Sequence, residues 1–172
     1  MKEITIGLRK SLGYFLANYN LADITSATPF YEIADFDPAN ADHWKLLNKV
    51  TDYGFVIHGM QASNEGEHPY SHHKIRFKCD ITIARNTTKI YDVTNRLYYP
   101  VEGTTGMTSL LSVATNLQKW LRDSKLDEVS GTQEVYWADV RSISEVKEYT
   151  GNFCVTLSYE ALRMETKTIT YS

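Results

Sequence analysis

The sequence predicts a single α+β domain over residues 1–172, with a mixed or antiparallel sheet of about four to six strands and two main helices packed on one face. Two segments, Lys74–Ala84 and Gly151–Glu160, alternate apolar and polar residues, and two other segments repeat apolar residues at helical spacing. The order of these segments lacks the regular strand–helix alternation of a doubly wound parallel sheet. The α+β class is therefore favoured.

The middle strand gives the clearest pattern in the sequence. Its apolar positions are separated by single polar or charged residues, and they are Ile75, Phe77, Cys79, Ile81 and Ile83. Such alternation predicts an antiparallel sheet with one packed and one solvated face, because strands of a parallel sheet are apolar on both faces. Gly151–Glu160 repeats the pattern, and we expect it to form a hairpin with Gln133–Val146.

Two helices are expected to cover the packed face of this sheet. In the first 20 residues the apolar positions fall on one helical stripe, which consists of Ile4, Leu8, Leu12, Phe15, Leu16 and Tyr19. The second helix is predicted to follow a cap at Thr108. Its apolar residues are Leu110, Leu111, Val113, Ala114, Leu117, Trp120 and Leu121.

The other segments are predicted from turn and strand signals. We expect a loop over Thr25–Asn48 with a short helix at Ala41–Val50, a strand at Tyr53–Gln61 and a polar loop at Asn64–Ser71. Lys89–Tyr99 is predicted to be a strand or a strand-like arm, within an extended arm around residues 87–106.

Composition excludes several classes of function. The net charge of −3 provides no basic field for holding nucleic acid, and no run of 18 apolar residues predicts a membrane span. Met1–Asn20 contains charged residues and no cleavage site, so a signal peptide is not predicted. Cys79 and Cys154 are far apart in sequence, which indicates reduced, buried thiols. These features together predict a cytosolic protein.

No catalytic motif is present, and an enzyme is not predicted. The only crowding of potential metal ligands is at His68, His72 and His73. Neighbouring histidines in an extended segment point to opposite sides, and no carboxylate or thiol stands at a matching offset in sequence. An exposed polar loop is favoured over a metal site, and no cofactor is expected. His58 is predicted to be a strand residue with a satisfied partner.

Charge is unevenly distributed along the chain. Asp23–Asp52 contains six acidic residues against Lys45 and Lys49, whereas Lys74–Arg96 contains six basic residues against Asp80 and Asp92. Two readings are open, and the first is that both segments are solvated surfaces. The second is that the two segments of opposite charge meet in an oligomer.

In its order of elements the chain resembles the tail terminator (tail completion) proteins of long-tailed bacteriophages. The resemblance is based on an opening amphipathic helix, an alternating middle strand (HKIRFKCDITIA), a helix that ends near Trp120, and two closing strands (EVYWADVRSISEV and GNFCVTLSYEA). It covers the whole chain in topology and about the last 30 residues in residue type. The chain is longer than the smaller members of the family, at Thr87–Gly106 and beyond Leu162.

The resemblance implies a structural virion protein located at the tail–neck junction. Its subunits would form a hexameric ring that caps the tail tube, stops polymerisation and contacts the tail tube protein and a neck or connector protein. DNA would pass through the lumen without specific binding. The ring contacts are expected to join basic residues to acidic ones, namely Lys74, Arg76, Lys78, Arg85, Lys89 and Arg96 to Asp35, Asp37 and Asp42.

Two alternative functions stay open at the level of sequence. One is another head–tail connector or neck subunit with the same small α+β plan. The other is a small ligand-binding domain or enzyme that uses a pocket between the second helix and the sheet.

Overall fold

A computed structural model describes residues 2–18, 28–45, 53–68, 72–86, 110–124 and 134–166. These residues form three helices and six strands in the order α1 (Lys2–Asn18), β1 (Phe30–Glu32), α2 (Ala41–Lys45), β2 (Tyr53–His68), β3 (His72–Asn86), α3 (Leu110–Ser124), β4 (Glu134–Ile143), β5 (Lys147–Tyr149) and β6 (Asn152–Thr166). Within the described ranges, no helix is long and apolar enough to cross a membrane.

The six strands form one mixed sheet, in which five follow the order β1-β2-β3-β6-β4 and the short β5 pairs with β6. β1 runs parallel to β2, and the other pairs are antiparallel. β3 lies in the centre and pairs with β6 from His72↔Thr166 to Asn86↔Asn152 without a register shift. Since β3 occupies one edge of β6 throughout, β4 and the short β5 share the other edge.

One face of the sheet, the helix face, is covered by α1 and α3. The apolar residues of alternating strand positions, including Phe77, Ile81 and Leu157, are fully buried there. The rings of Phe15 in α1 and Phe55 in β2 meet edge to face at 6.5 Å. The two helices are joined by the Trp120 indole, which donates to the Ser11 carbonyl at 3.1 Å.

The opposite face, the far face, is covered at one end by residues 30–45, the β1–α2 segment. Phe36 and Trp44 of this segment pack on a second, smaller apolar cluster of Val56, Ala84 and Cys154. The rings of Phe36 and Trp44 meet edge to face at 5.2 Å, and the Trp44 indole donates to the Pro38 carbonyl at 2.6 Å. The sheet is therefore packed on both faces at this end.

The predicted fold class, the two main helices, the middle strand and the closing hairpin are confirmed. The prediction of a loop at Asn64–Ser71 is wrong for residues 64–68, because β2 continues to His68. Gly66, with φ of 113°, lies in a bulge that lets this polar segment stay paired with β3. β1 and β5 were not predicted, and the expected strand at Lys89–Tyr99 and the arm around 87–106 lie outside the described residues.

The packing of α3 gives a direct test of this architecture. Leu117 of α3 is fully buried in the core, whereas Leu111 on the same helix is 47 % exposed. We expect Leu117→Ala to lower the free energy of unfolding by about 2–5 kcal/mol, because it leaves a cavity between helix and sheet. Leu111→Ala, the matched control, should change it by less than about 0.5 kcal/mol in urea denaturation. Equal effects would contradict the assigned helix face.

Candidate functional site

The polar half of the far face is the candidate functional site. Strand alternation places the side chains opposite to the core residues on this face, and the β1–α2 segment covers only part of it. Two regions can be distinguished along β3 and β6. One is a row of hydroxyl, histidine and carboxylate groups, and the other is a group of ion pairs around Glu160.

The ion pairs form what we term the cation cluster, which consists of Arg76, Lys78 and Arg141 around Glu160. The side chain of Glu160 is 14 % exposed, and its carboxylate lies 3.0 Å from Arg76, 3.1 Å from Lys78 and 3.7 Å from Arg141. Arg76 also contacts Glu65 of β2, with Nε to Oε1 at 2.8 Å. The cluster therefore links four neighbouring strands through side chains.

The contacts of the cluster favour the charged forms of Glu160, Glu65 and Arg76. Burial opposes ionisation of Glu160, but the hydrogen bonds and charges of Lys78 and Arg76 outweigh it, so the pKa of Glu160 is lowered. The hydrogen bond from Arg76 lowers the pKa of Glu65, and the same contact raises the pKa of Arg76. Together with Glu65, the cluster has three basic side chains against two carboxylates. Its exposed side therefore has an excess of positive charge.

Beside the cation cluster lies a hydrogen-bonded row that crosses three strands. His58 Nε2 and Thr82 Oγ1 are 2.8 Å apart, and Thr82 Oγ1 is 2.8 Å from Thr156 Oγ1. The Ser158 hydroxyl donates to Asp80 at 2.7 Å. Desolvation by burial lowers the pKa of His58, although the charges of Asp80 and Asp37 act in the opposite direction. The prediction that His58 is a strand residue with a satisfied partner is confirmed.

The hydroxyl and thiol groups of this region are held in contacts of the fold. Ser158 donates to the Asp80 carboxylate, and the Thr82 hydroxyl beside His58 is fully buried. Cys79 and Cys154 are free and buried, as predicted, and burial raises the pKa of both thiols. Among the residues whose side chains are described, no three potential metal ligands come together.

The predicted basic interface residues are placed unequally. Lys74, Arg76 and Lys78 lie on the far face, but Arg76 is held by two carboxylates of its own chain. The prediction that Arg85 belongs to the contact surface is wrong, because this residue is 1 % exposed. It shares the alternation of Ile81 and Ile83 and therefore lies on the helix face, where its guanidinium donates to the Tyr53 hydroxyl at 2.8 Å.

The other predicted interface residues fall into two groups. Lys89 and Arg96 lie outside the described residues. Asp35, Asp37 and Asp42 are exposed on the β1–α2 segment, as expected for a contact surface. The loop that holds them is ordered by local bonds, since Asp37 accepts from the Ala39 amide at 2.9 Å and the Asp37 amide donates to His43 Nδ1 at 2.8 Å.

Sequence reasoning missed Glu160, Glu65 and Arg141, which complete the cation cluster. Glu160 was recognisable as a polar position of the last strand, but its partners come from other strands. The histidines at His68, His72 and His73 were expected in a loop. The structure instead places them at the ends of β2 and β3, with His68 opposite His72 and His73 opposite Glu67.

Neither a known protein family nor a curated protein sequence matches this chain. The grounds for a functional proposal are therefore the fold, the far face and the resemblance in order of elements.

The cation cluster can be tested through Glu160→Gln, which leaves three cations without their central charge. We expect the free energy of unfolding at neutral pH to fall by about 0.5–1 kcal/mol. Because the pKa of Glu160 is lowered on folding, its contribution is present above the ordinary value of 4.5 and is lost as pH falls through the folded value. Added salt should narrow the difference from wild type. A difference that is independent of both pH and salt would contradict this account.

The stability of the protein is also expected to depend on pH through His58. Its folded pKa lies below 6.5, so the unfolded chain binds a proton in a pH window where the folded protein does not. Stability should therefore fall as pH drops below 6.5 and level off beneath the folded pKa. In His58→Gln, the loss of melting temperature between about pH 7 and pH 5 should be smaller than in wild type. Parallel pH profiles for the two proteins would rule out His58 as the cause.

Proposed function

We propose that this chain is a tail terminator subunit, which forms a ring that caps the tail tube of a long-tailed bacteriophage and joins it to the neck. The proposal combines the resemblance in order of elements with one observation. The two ends of the far face carry opposite charge and are fixed to the same sheet. In this role the protein acts by binding copies of itself and neighbouring tail proteins.

The basic end of the far face is the exposed side of the cation cluster. The side chains of Lys78 and Arg141 are 49 % and 55 % exposed, so both can contact another molecule while they stay near Glu160. Lys74 extends the same row along β3 and is half-buried. These three residues replace the longer basic set expected from sequence as the candidate contact surface.

The acidic end is the β1–α2 segment. It contains Asp35, Asp37 and Asp42 and no lysine or arginine before Lys45. Glu32 of the same segment lies on the helix face, where it pairs with Arg9 of α1. The Phe36 and Trp44 anchor fixes this segment to the sheet, so its carboxylates have a defined position relative to the basic end. A rigid subunit with two different complementary surfaces can associate head to tail, which is the arrangement that generates a closed ring.

Charge complementarity mainly steers association and fixes the register of the contact. The assembly should therefore weaken as salt screens the charges, within a screening length of about 8–10 Å at physiological ionic strength. The net charge of −3 also suits a channel through which DNA slides without adhering.

The first experiment measures the mass of the purified, untagged protein by native mass spectrometry and multi-angle light scattering. A ring of six 19.7-kDa chains has a mass of about 118 kDa. Negative-stain images should show rings with a central opening, and rings added to the matching tail tube protein should stop tube growth. A stable monomer under all conditions would contradict the proposal, and rings that leave tube growth unchanged would favour another connector or neck subunit.

The contact surface is tested with Lys78→Glu combined with Arg141→Glu. We expect the double variant to weaken ring formation at least about tenfold, because like charges then face the acidic segment of the next subunit. The matched control is Lys10→Glu combined with Lys119→Glu, which changes net charge equally at exposed positions on the helices. Circular dichroism checks the fold of both. Equal weakening by the two double variants would show a general effect of net charge and reject this surface.

A further inference from the structure

Beside the cation cluster, the far face carries the aromatic side chain of Trp137 in β4. Trp137 is the Cα partner of Leu162 in β6, and Leu162 is in turn the partner of Arg76 in β3. Because directly opposed residues of neighbouring strands share one face, all three side chains lie on the far face. Trp137 and Leu162 are both half-buried. A partly exposed apolar strip therefore borders the basic end.

The indole of Trp137 is held by a neighbouring cation. The guanidinium of Arg141 lies over the ring, with its Cζ 5.2 Å from the ring centroid. This cation–π contact adds to the ion pair between Arg141 and Glu160. The orientation of the indole is thus restricted before a partner binds, which lowers the entropy cost of association. Tryptophan and arginine are also among the residues that most often dominate the energy of protein contacts.

The acidic end of the same face presents a well-ordered turn. The Asn40 amide donates to the Asp37 carbonyl at 3.0 Å, which closes a turn with Pro38 at its second position. The proline ring fixes the backbone at this position, and the Pro38 carbonyl is held by the Trp44 indole. Pro38 is half-buried, whereas Asp35 and Asp37 are exposed. The turn therefore offers one apolar ring next to two carboxylates.

The basic end and this turn are complementary in apolar groups as well as in charge. Proline-containing segments dock on aromatic surfaces in several recognition modes, because their backbone is already restricted. Single-stranded nucleic acid also binds to surfaces with basic and aromatic residues, but it needs a free ring face for base stacking. The Arg141 guanidinium occupies one face of Trp137. The acidic turn of a second copy is therefore the favoured occupant.

We propose that Trp137 is the apolar anchor of the contact between copies and that it receives the Pro38 turn of the next copy. This inference rests on the proposed ring and names the residues at the centre of its contact. Lys78 and Arg141, on the exposed side of the cation cluster, face the carboxylates beside the proline. Charge sets the register of the contact, and the two rings bury apolar surface at its centre.

The test compares the self-association of full, untagged variants by sedimentation equilibrium. Trp137→Ala should weaken assembly at least about tenfold, because it removes the anchor. This loss should persist in high salt, whereas the loss caused by Lys78→Glu combined with Arg141→Glu should shrink there. Trp137→Phe keeps an aromatic ring and should stay within about threefold of wild type. The matched control is Tyr14→Ala, which removes an exposed aromatic side chain from α1 and should change assembly by less than about twofold.

Pro38→Ala tests the other side of the contact and does not depend on the stability of the tryptophan variant. It should weaken assembly about three- to tenfold. If the two residues meet, the double variant Pro38→Ala with Trp137→Ala should be within about twofold of Trp137→Ala alone. Losses that multiply would show that the two residues act independently and would reject the pairing. Unchanged assembly in Pro38→Ala would reject it as well.

The outcomes separate this anchor from the ring itself. A monomeric wild type would reject both proposals. Assembly that responds to charge reversal at Lys78 and Arg141, but not to Trp137→Ala or Pro38→Ala, would reject the anchor alone. The last measurement uses a fluorescein-labelled oligothymidine. If wild type binds it and Trp137→Ala does not, while assembly is unchanged, the surface belongs to single-stranded nucleic acid and the anchor is rejected.

Discussion

The pairing of β3 with β6 is the constraint on which the rest of the structure depends. These two central strands stay in one register from His72↔Thr166 to Asn86↔Asn152. Because side chains alternate with a period of two, a slip of one residue would move Phe77 into solvent and Lys78 into the core. The same backbone hydrogen bonds therefore fix both the packed face under the helices and the polar row on the far face.

Register shifts occur in β2 and β4, the two strands that flank this central pair. β2 shifts register between His58 and Gln61, where Gly59 has φ of 60°, and β4 shifts at two places. The first shift in β2 also marks a change in environment, since Tyr53–His58 is buried and Gln61–Gly66 is exposed. Bulges increase local twist and discourage further strand pairing. The polar outer part of β2 can therefore extend beyond the core while β3 and β6 keep their register.

The sequence predicted the elements whose own residues decide their structure. The apolar alternation of β3 and the apolar stripes of α1 and α3 are clear sequence signals, because each buried position requires an apolar residue. β1 has only three residues, and its pairing with β2 depends on Phe36 and Trp44, which anchor the segment after it. The outer half of β2 is polar because it lies outside the core, so its strand structure comes from β3. Arg85 continues the apolar alternation, but a single charged residue does not reveal the surroundings that bury it.

The polar sites were less predictable because they are built across strands. Glu160 and Arg76 are 84 residues apart and meet only through the β3–β6 register. The hydrogen-bonded row is built in the same way, since His58, Thr82 and Thr156 come from three strands and meet through their register. Strand alternation keeps both polar groups on the far face and the apolar residues under the helices. The proposed subunit contact would therefore use a surface that the strand register fixes and that the core does not occupy.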